Sequence, residues 1–380
     1  MKIVFISNYY NHHQDALCRA LDASNPGEFC FIATSEMRLE RKQLGYGDWE
    51  IPRFVHAAYT GEEGLRACQK LINEADVVIA GSAPEAMLKQ RIKEHKLIFR
   101  YTERPLKKGD LWHLYLPRLV KWRLQNPVSK PIYLLAASAY ASADYARYGL
   151  FKDKAFRWGY FPKTKKYTQL PPKEENSILW VGRFLDWKHP DDALSMAKKL
   201  HDEGKVYKLQ FIGTGPMKQQ LRDMTAELGL QDNVFFLGSM KPEQVREYME
   251  KAGIFLFTSD KQEGWGAVLN ESMNSGCAVV ASHAIGSTLY LLEDNVNGMI
   301  YRSGDVDMLY EKVKTLLDHP ELQEQLGRKA YETIAQTWNA EVAAERFCNL
   351  ASHIQHGEKY PDLYTSGPCS KAPILRDDWM

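Results

Sequence analysis

No stretch of this 380-residue chain approaches the roughly 18 consecutive apolar residues of a spanning helix, so a membrane-crossing segment is not expected. The six cysteines (Cys18, Cys30, Cys68, Cys277, Cys348, Cys369) form no CxxC pair and no metal-ligand spacing. That excludes a disulfide framework or a zinc module and leaves buried free thiols, which suit a reducing compartment. A formal charge of +1 gives no global attraction to nucleic acid. The N-terminus enters at once into Lys2-Ile3-Val4-Phe5-Ile6, a strand pattern with no basic-then-apolar leader. A cytoplasmic protein is expected, with contact to a membrane surface left open. There is no repeat at 20–50-residue spacing and no low-complexity tract.

What is present is an ordinary globular composition, 44% hydrophobic and 26% charged, on a length that suits two domains. Short apolar runs alternate with amphipathic stretches. Strands are predicted at Lys2–Ser7, Glu28–Ala33, Asp76–Ala80, Leu97–Tyr101 and Pro131–Leu135, with helical patterns such as Gly61–Asn73 and Pro84–Glu94 between them. A polar, proline-bearing stretch from Phe161 to Asn176 reads as a linker. A second series follows, with strands at Ile178–Val181, Lys208–Ile212, Val234–Leu237, Ile254–Phe257, Cys277–Ala281 and Gly298–Tyr301. Its helices are expected at Asp191–His201, Pro216–Leu228 and Pro242–Lys251, then at Asp305–Leu317, Glu321–Gln336 and Ala340–Ile354. Beta-alpha alternation implies parallel sheets with helices on both faces. The expected fold is therefore α/β, with two Rossmann-like doubly wound domains facing a cleft. The expected domains are 1–165 and 176–338, with 339–380 a helix and irregular tail packing back on the first domain.

The most telling segment is Glu263-Gly264-Trp265-Gly266-Ala267-Val268-Leu269-Asn270-Glu271. It follows one apolar strand candidate and precedes another, so an acid lies on the loop at a strand's carboxyl end, where parallel sheets bind ligands. Eight helical residues would rise about 12 Å, whereas glycoside-hydrolysing carboxylate pairs stand about 5 to 9.5 Å apart. Two acids at this spacing suit different parts of one elongated ligand. Gly264, Trp265 and Gly266 could turn backbone N–H groups to a diphosphate, Glu263 could take a sugar hydroxyl and Glu271 a ribose diol, since carboxylates only accept. The plainer alternative makes Glu263 a capping acid and Glu271 a surface residue.

Two other strand ends carry related features. Val181-Gly182-Arg183, followed by Lys188, offers close backbone approach and positive charge for a phosphate, or else is a solvated basic loop. Ile212-Gly213-Thr214-Gly215-Pro216 could aim N–H groups of Gly213 and Gly215 at an anion. It lacks the third glycine of a dinucleotide fingerprint and the Gly-Lys-Ser/Thr of a P-loop.

Together, "VGRFLDWK" (Val181–Lys188), "FIGTGP" (Phe211–Pro216), "NVFFLG" (Asn233–Gly238), "EGWGAVLNESMNSGCAVVAS" (Glu263–Ser282) and "NGMIY" (Asn297–Tyr301) resemble, in order, the donor domain of retaining glycosyltransferases of family 4, which have the GT-B fold. The resemblance runs over roughly Ile178 to Leu350. It implies that Arg183 and Lys188 hold the donor diphosphate and stabilise it as a leaving group. It also implies that Glu263 contacts the transferred sugar, that Gly264 to Ala267 lie under sugar and phosphates, that Val268 and Leu269 line the pocket, and that Glu271 binds ribose. Positive charge at the departing diphosphate is what such chemistry requires. No Asp-x-Asp is suitably placed, Asp305-Val306-Asp307 falling at a helix start, so metal-independent transfer with no cofactor is expected.

The first domain departs from the family's usual glycine pair after the first strand. Here stand Ser7-Asn8-Tyr9-Tyr10-Asn11-His12-His13-Gln14. Asn8, Tyr9, Tyr10 and Asn11 are candidate acceptor contacts, and His12 or His13 a candidate proton carrier; alternatively Asn11 caps a helix and a histidine faces solvent. Between residues 101 and 130 the cations Arg104, Lys107, Lys108, Arg118, Lys121, Arg123 and Lys130 outnumber Glu103 and Asp110 by five, with Trp112, Leu114, Tyr115, Leu116, Val120, Trp122 and Leu124 interleaved. This reads either as an amphipathic domain helix with a solvated basic face or as a segment for anionic lipid headgroups.

The expectation is a retaining glycosyltransferase moving sugar from a nucleotide diphosphate donor, UDP-linked, to a glycan or lipid-linked acceptor, with domain closure over the donor. A sugar-nucleotide epimerase or a glycogen-type phosphorylase on the same fold, and a non-catalytic nucleotide-sugar-binding protein, are the rivals. Nucleic acid is not an expected partner.

Overall fold

The fold is taken from a computed structural model, which describes residues 1–37, 50–109 and 111–375. Among the described residues the chain divides into two compact units, residues 1–163 with 338–375, and residues 164–337. In the first unit seven strands form one sheet: β1 (Ile3–Ser7), β2 (Phe29–Ala33), β3 (Val55–Ala57), β4 (Val77–Ala80), β5 (Leu97–Thr102), β6 (Ile132–Ala136) and β7 (Ala155–Arg157). They lie in the order β3-β2-β1-β4-β5-β6-β7, every pair parallel. The sequence IVFIS of β1 is buried at all five positions, as a strand covered on both faces must be. β3 and β7, three residues each, are strands that periodicity does not mark.

The second unit holds β8 (Ser177–Val181), β9 (Lys208–Ile212), β10 (Val234–Gly238), β11 (Ile254–Phe257), β12 (Ala278–Ser282) and β13 (Met299–Tyr301), in the order β10-β9-β8-β11-β12-β13 and again all parallel. Its core is filled by Ile178, Leu209, Ile254 and Ala278 from neighbouring strands, packed beneath Leu194, Leu221, Leu309 and Leu326 of the helices.

In each sheet the chain winds outward in one direction, returns to the middle, and winds outward in the other. The reversal falls between β1 and β4 in the first sheet and between β8 and β11 in the second. Loops leaving the carboxyl ends of such a strand pair part to opposite sides and open a crevice. Most of the site residues discussed below lie on loops or helices that follow the carboxyl ends of strands.

After residue 337 the chain joins the first unit. The helix Ala340–Gln355 starts on Asn339, whose side chain accepts from the Val342 N–H at 2.9 Å. It seats Phe347 edge-on to Phe99, 5.0 Å between centroids. The tail then runs antiparallel past β7, with Arg157 N–H donating to Ser370 O at 2.7 Å and Ala372 N–H to Ala155 O at 3.0 Å. An otherwise bare sheet edge is covered in this way. All six cysteines are free thiols, and all but Cys348 are buried. Among the described residues no helix is long and apolar enough to cross a membrane.

Candidate functional site

The crevice of the second sheet is built from the loops after β8, β9 and β11. After β8 the chain runs through Gly182, Arg183 and a short turn at Asp186–Lys188. Arg183 is exposed, whereas the side chains of Lys188 and Glu263 keep only 12% and 13% of their accessible surface and are paired with each other. So little solvent makes this pair worth more than a surface ion pair, and costly to break from one side. Glu263 also accepts from Ser259 Oγ at 3.1 Å. Lys188 Nζ lies 4.6 Å from the Trp187 ring centroid and 5.9 Å from that of Phe257.

Backbone and buried polar contacts hold Lys188 in place. Trp180 Nε1 donates to Thr258 Oγ1 at 2.9 Å, and Thr258 Oγ1 donates to the Lys188 carbonyl at 2.6 Å. Asp260 N–H donates to Trp187 O at 2.9 Å. His189, in the left-handed region at φ 46°, faces Asp260 with 3.6 Å between Nε2 and Oδ2. The neighbouring Asp260 carboxylate raises the His189 pKa, against the opposing effect of burial. His189, Asp191 and Asp192 lie close enough to share a cation, the one such group among the described residues.

Glu263 itself stands on the loop after β11, and the helix Val268–Asn274 starts only five residues later. Between them Gly266 adopts φ +82°, and a Cβ there would stand 2.3 Å from the Phe257 ring, so only glycine lets the loop fold back on its own strand. Trp265 is wholly buried, its Nε1 donating to Asn270 Oδ1 at 2.9 Å and its carbonyl accepting from Ser287 Oγ at 2.5 Å. Leu269 is also fully buried and Ala267 nearly so. Trp265 and Leu269 are thus enclosed, backbone included, with the Leu269 N–H donating to Gly266 O at 3.0 Å, whereas the sequence reading placed Leu269 on the pocket wall. Val268 keeps some exposure, and Gly264 is buried beside Trp265. Glu271, in the first helical turn, is half-buried; burial pushes its carboxyl above the usual range and Arg246 pulls it back.

Of the glycines after β9, Gly213 has a different task from the one expected. Gly213 N–H donates to Gly238 O at 2.8 Å, so it is not turned to an anion. A Cβ on Gly213 would fall 1.8 Å from Gly182 O, and one on Gly215 2.5 Å from Phe184 O. Phe184 N–H donates to Thr214 O at 2.9 Å and Gly182 N–H to Ile212 O at 3.0 Å. These glycines let the β8 and β9 loops lie backbone to backbone, which fixes the course of the chain that carries Arg183 and Lys188.

In the first unit a cavity of about 680 Å³ opens at the carboxyl ends of β1, β4 and β5. Asn8, Tyr9, Asn11 and His13 line it. Asn11 caps the helix His12–Ser24, its side chain accepting from His13 N–H at 3.0 Å. His12 packs against His13, its ring tilted 44° with 3.7 Å between centroids, but is not among the lining residues. Tyr10 turns inward instead: it is 7% exposed, packs on Phe31 and Phe54, and donates to Asp15 at 2.7 Å. Its expected place among the acceptor contacts is thereby corrected: the loop after β1 turns this ring inward against Phe31 and Phe54.

Sequence reasoning missed the charged floor of this cavity. Arg100 grips Glu85 through two bonds of 2.9 Å each, and Glu103 is held by Tyr160 Oη at 2.6 Å and by Lys107. A signal was available, since Arg100, Tyr101 and Thr102 end a strand otherwise apolar and Glu103 follows at once.

Two doubly wound parallel sheets, each with polar and charged side chains gathered at its reversal point, define a class of α/β proteins built to hold a ligand on sheet edges. Sequence comparison narrows the class. Residues 163–333 match the family model for glycosyl transferases group 1 and form a domain of that family. The alpha-monoglucosyldiacylglycerol synthase of Streptococcus pneumoniae is 31% identical over 170 residues, 44% of this chain and 38% of that protein. An N-acetylgalactosaminyltransferase of Campylobacter jejuni that acts on N-acetylgalactosamine-N,N'-diacetylbacillosaminyl-diphospho-undecaprenol is 32% identical over 164 residues, 43% of this chain and 42% of that protein. The chain spans about a third to a half of the length of the curated relatives it matches. The crystal structure of Anabaena Alr3699/HepE in complex with UDP superposes with a TM-score of 0.69 over 93% of this chain and all of that one, at 15% identity, a likeness of fold. The fold is GT-B.

Proposed function

We propose that the protein is a glycosyltransferase that takes a sugar from a nucleotide diphosphate donor, UDP-linked, and passes it to a hydroxyl of a glycan or lipid-linked acceptor with retained anomeric configuration. The observation that carries this reading is the sheltered Lys188–Glu263 pair at the β8/β11 reversal, inside the segment that matches the family. Without ligand the ammonium and the carboxylate satisfy each other. An incoming diphosphate competes for Lys188, with Arg183 beside it, and releases Glu263 to accept from a hydroxyl of the transferred sugar. Glu271 accepts from the ribose. The bond from the anomeric carbon to the diphosphate oxygen breaks as the acceptor oxygen bonds to that carbon on the same face. The acceptor proton passes to the departing diphosphate oxygen. Lys188 and Arg183 stabilise the charge that develops there.

In the first unit the cavity floor is charge-compensated, Arg100 by Glu85 and Lys107 by Glu103. It offers carboxylate, hydroxyl, amide and aromatic groups, which suits a neutral polyhydroxylated acceptor. The reading needs no metal. Supplied with UDP-sugars and glycan or lipid-linked acceptors, the protein is expected to form product whose anomeric configuration by NMR matches the donor's. Glu263→Gln should lower kcat by about a hundredfold or more. Excess EDTA should leave the rate unchanged. Epimerised sugar nucleotide with no transfer product would replace this reading with the epimerase, and a rate abolished by EDTA would remove its metal-free part and direct attention to His189, Asp191 and Asp192.

A further inference from the structure

In the first unit the helix Tyr115–Gln125 has two apolar faces, and only one of them is used. Its inner face is fixed: Trp122 packs 4.6 Å from the Tyr148 ring, Tyr115 stacks on the same ring at 5.0 Å, and Leu119 meets the unit's core. The opposite face carries Leu116, Val120 and Leu124, which are 67%, 59% and 73% exposed, with Trp112 before them at 87%. Residues four apart share one helix face, so this is a continuous row. Leu111 and Val128, 50% and 63% exposed, extend it at either end. Single apolar residues on a surface are ordinary, but a contiguous row on a rigid helix marks an interaction surface.

Charge decides which partner fits. Lys108 and Lys121 are exposed around the row, and so is Arg123, although its Nε donates to Tyr148 O at 3.2 Å on the inner side. Two members of the basic stretch seen in the sequence are not available: Arg104 is buried against Asp144, and Lys107 is paired with Glu103. Trp122 likewise belongs to the inner face. Asp110 lies outside the described residues. What remains is an apolar stripe edged by cations. A second copy is disfavoured, because a two-fold contact through this face would bring together two stripes that are each edged by cations. An anionic bilayer satisfies both parts at once, taking the stripe into the acyl boundary and the cations at the phosphates.

We propose that the outer face of residues 111–128 docks the protein on anionic lipid bilayers, lying in the interface plane. The proposal concerns binding and does not depend on the transferase reading. It is tested by sedimenting the full chain with vesicles of phosphatidylcholine alone and of phosphatidylcholine mixed with phosphatidylglycerol. Wild type is expected to sediment with the anionic vesicles, weakly with the neutral ones, and to be released at about 1 M salt, where the screening length is about 3 Å. Leu116→Ser/Val120→Ser/Leu124→Ser should bind at least about tenfold more weakly, and Lys121→Glu about fivefold. Both should melt as wild type does, since the altered side chains are exposed. Equal sedimentation with both vesicles, or anionic binding undiminished in the triple variant, would overturn the proposal. So would a wild-type dimer that the triple variant turns into a monomer without vesicle binding by either, which would assign the face to a second copy.

Discussion

Glu271 sits half-buried in the first turn of the helix Val268–Asn274, with burial raising its carboxyl pKa and Arg246 opposing that rise. A carboxylate held in such a place works against folding unless a ligand repays it. The sign follows from linkage. The folded pKa exceeds the ordinary value of 4.5, so the ionised form is penalised only in the folded chain. No cost exists below that value; it grows as pH rises from 4.5 toward the folded pKa and persists above it. Glu271→Gln should therefore melt higher than wild type at neutral pH, and the gap should close as pH falls into the unfolded carboxylate range. The same variant should bind UDP about ten- to a hundredfold more weakly, from the loss of a charge-assisted hydrogen bond. Scanning calorimetry across pH, with titration calorimetry at pH 7, reads both; a variant less stable than wild type at neutral pH would show that Glu271 supports the fold.

At the level of strands and loops, the residues after β8, β9 and β11 act as one stitched crest. Gly213 is the tightest point, with φ +142° and its absent Cβ directed at Gly182 O. Gly213→Ala should cost about 1 to 3 kcal/mol in urea unfolding, with an unchanged m-value, and should weaken nucleotide binding because the Arg183 loop is pushed away. An alanine variant as stable as wild type would mean that the two loops can part freely. This region also shows how far a sequence can be read. The central strands β8, β9, β11 and β12 were legible to within a residue, because strands buried on both faces are written as apolar runs. β3 and β7 were not, being three residues long and set at or beside sheet edges, with too few positions to show a period. The glycines of the β9 turn were legible as glycines that matter, but not as to why. A backbone packed on a neighbouring loop and a backbone approaching a phosphate both require a missing side chain. Lys188 and Glu263 could be named from motif order, yet their pairing, 75 residues apart in the chain, needed β8 and β11 to be parallel neighbours in the sheet. Tyr10 was misplaced because a loop of polar and aromatic residues gives no indication of which ring turns inward.

For the molecule as a whole, each sheet reverses its winding once and each reversal gathers the groups that can hold a ligand. The second unit offers an exposed arginine and a lysine that is paired but poised to exchange its partner. The first offers a cavity whose charges already cancel. This division suits a strongly anionic ligand on one unit and a polyhydroxylated one on the other. The account rests on Arg183 and Lys188 holding a diphosphate, and ligand-induced stabilisation tests that most directly. UDP at a hundred times its dissociation constant should stabilise the wild-type chain by about 2.7 kcal/mol. Arg183→Ala removes an exposed side chain without disturbing packing, and together with Lys188→Ala it should abolish most of that stabilisation at the same UDP concentration. Uridine, lacking both phosphates, should give equal and small shifts in wild type and variants. Full stabilisation of either alanine variant by UDP, or none of the wild type by any nucleoside diphosphate, would contradict the account.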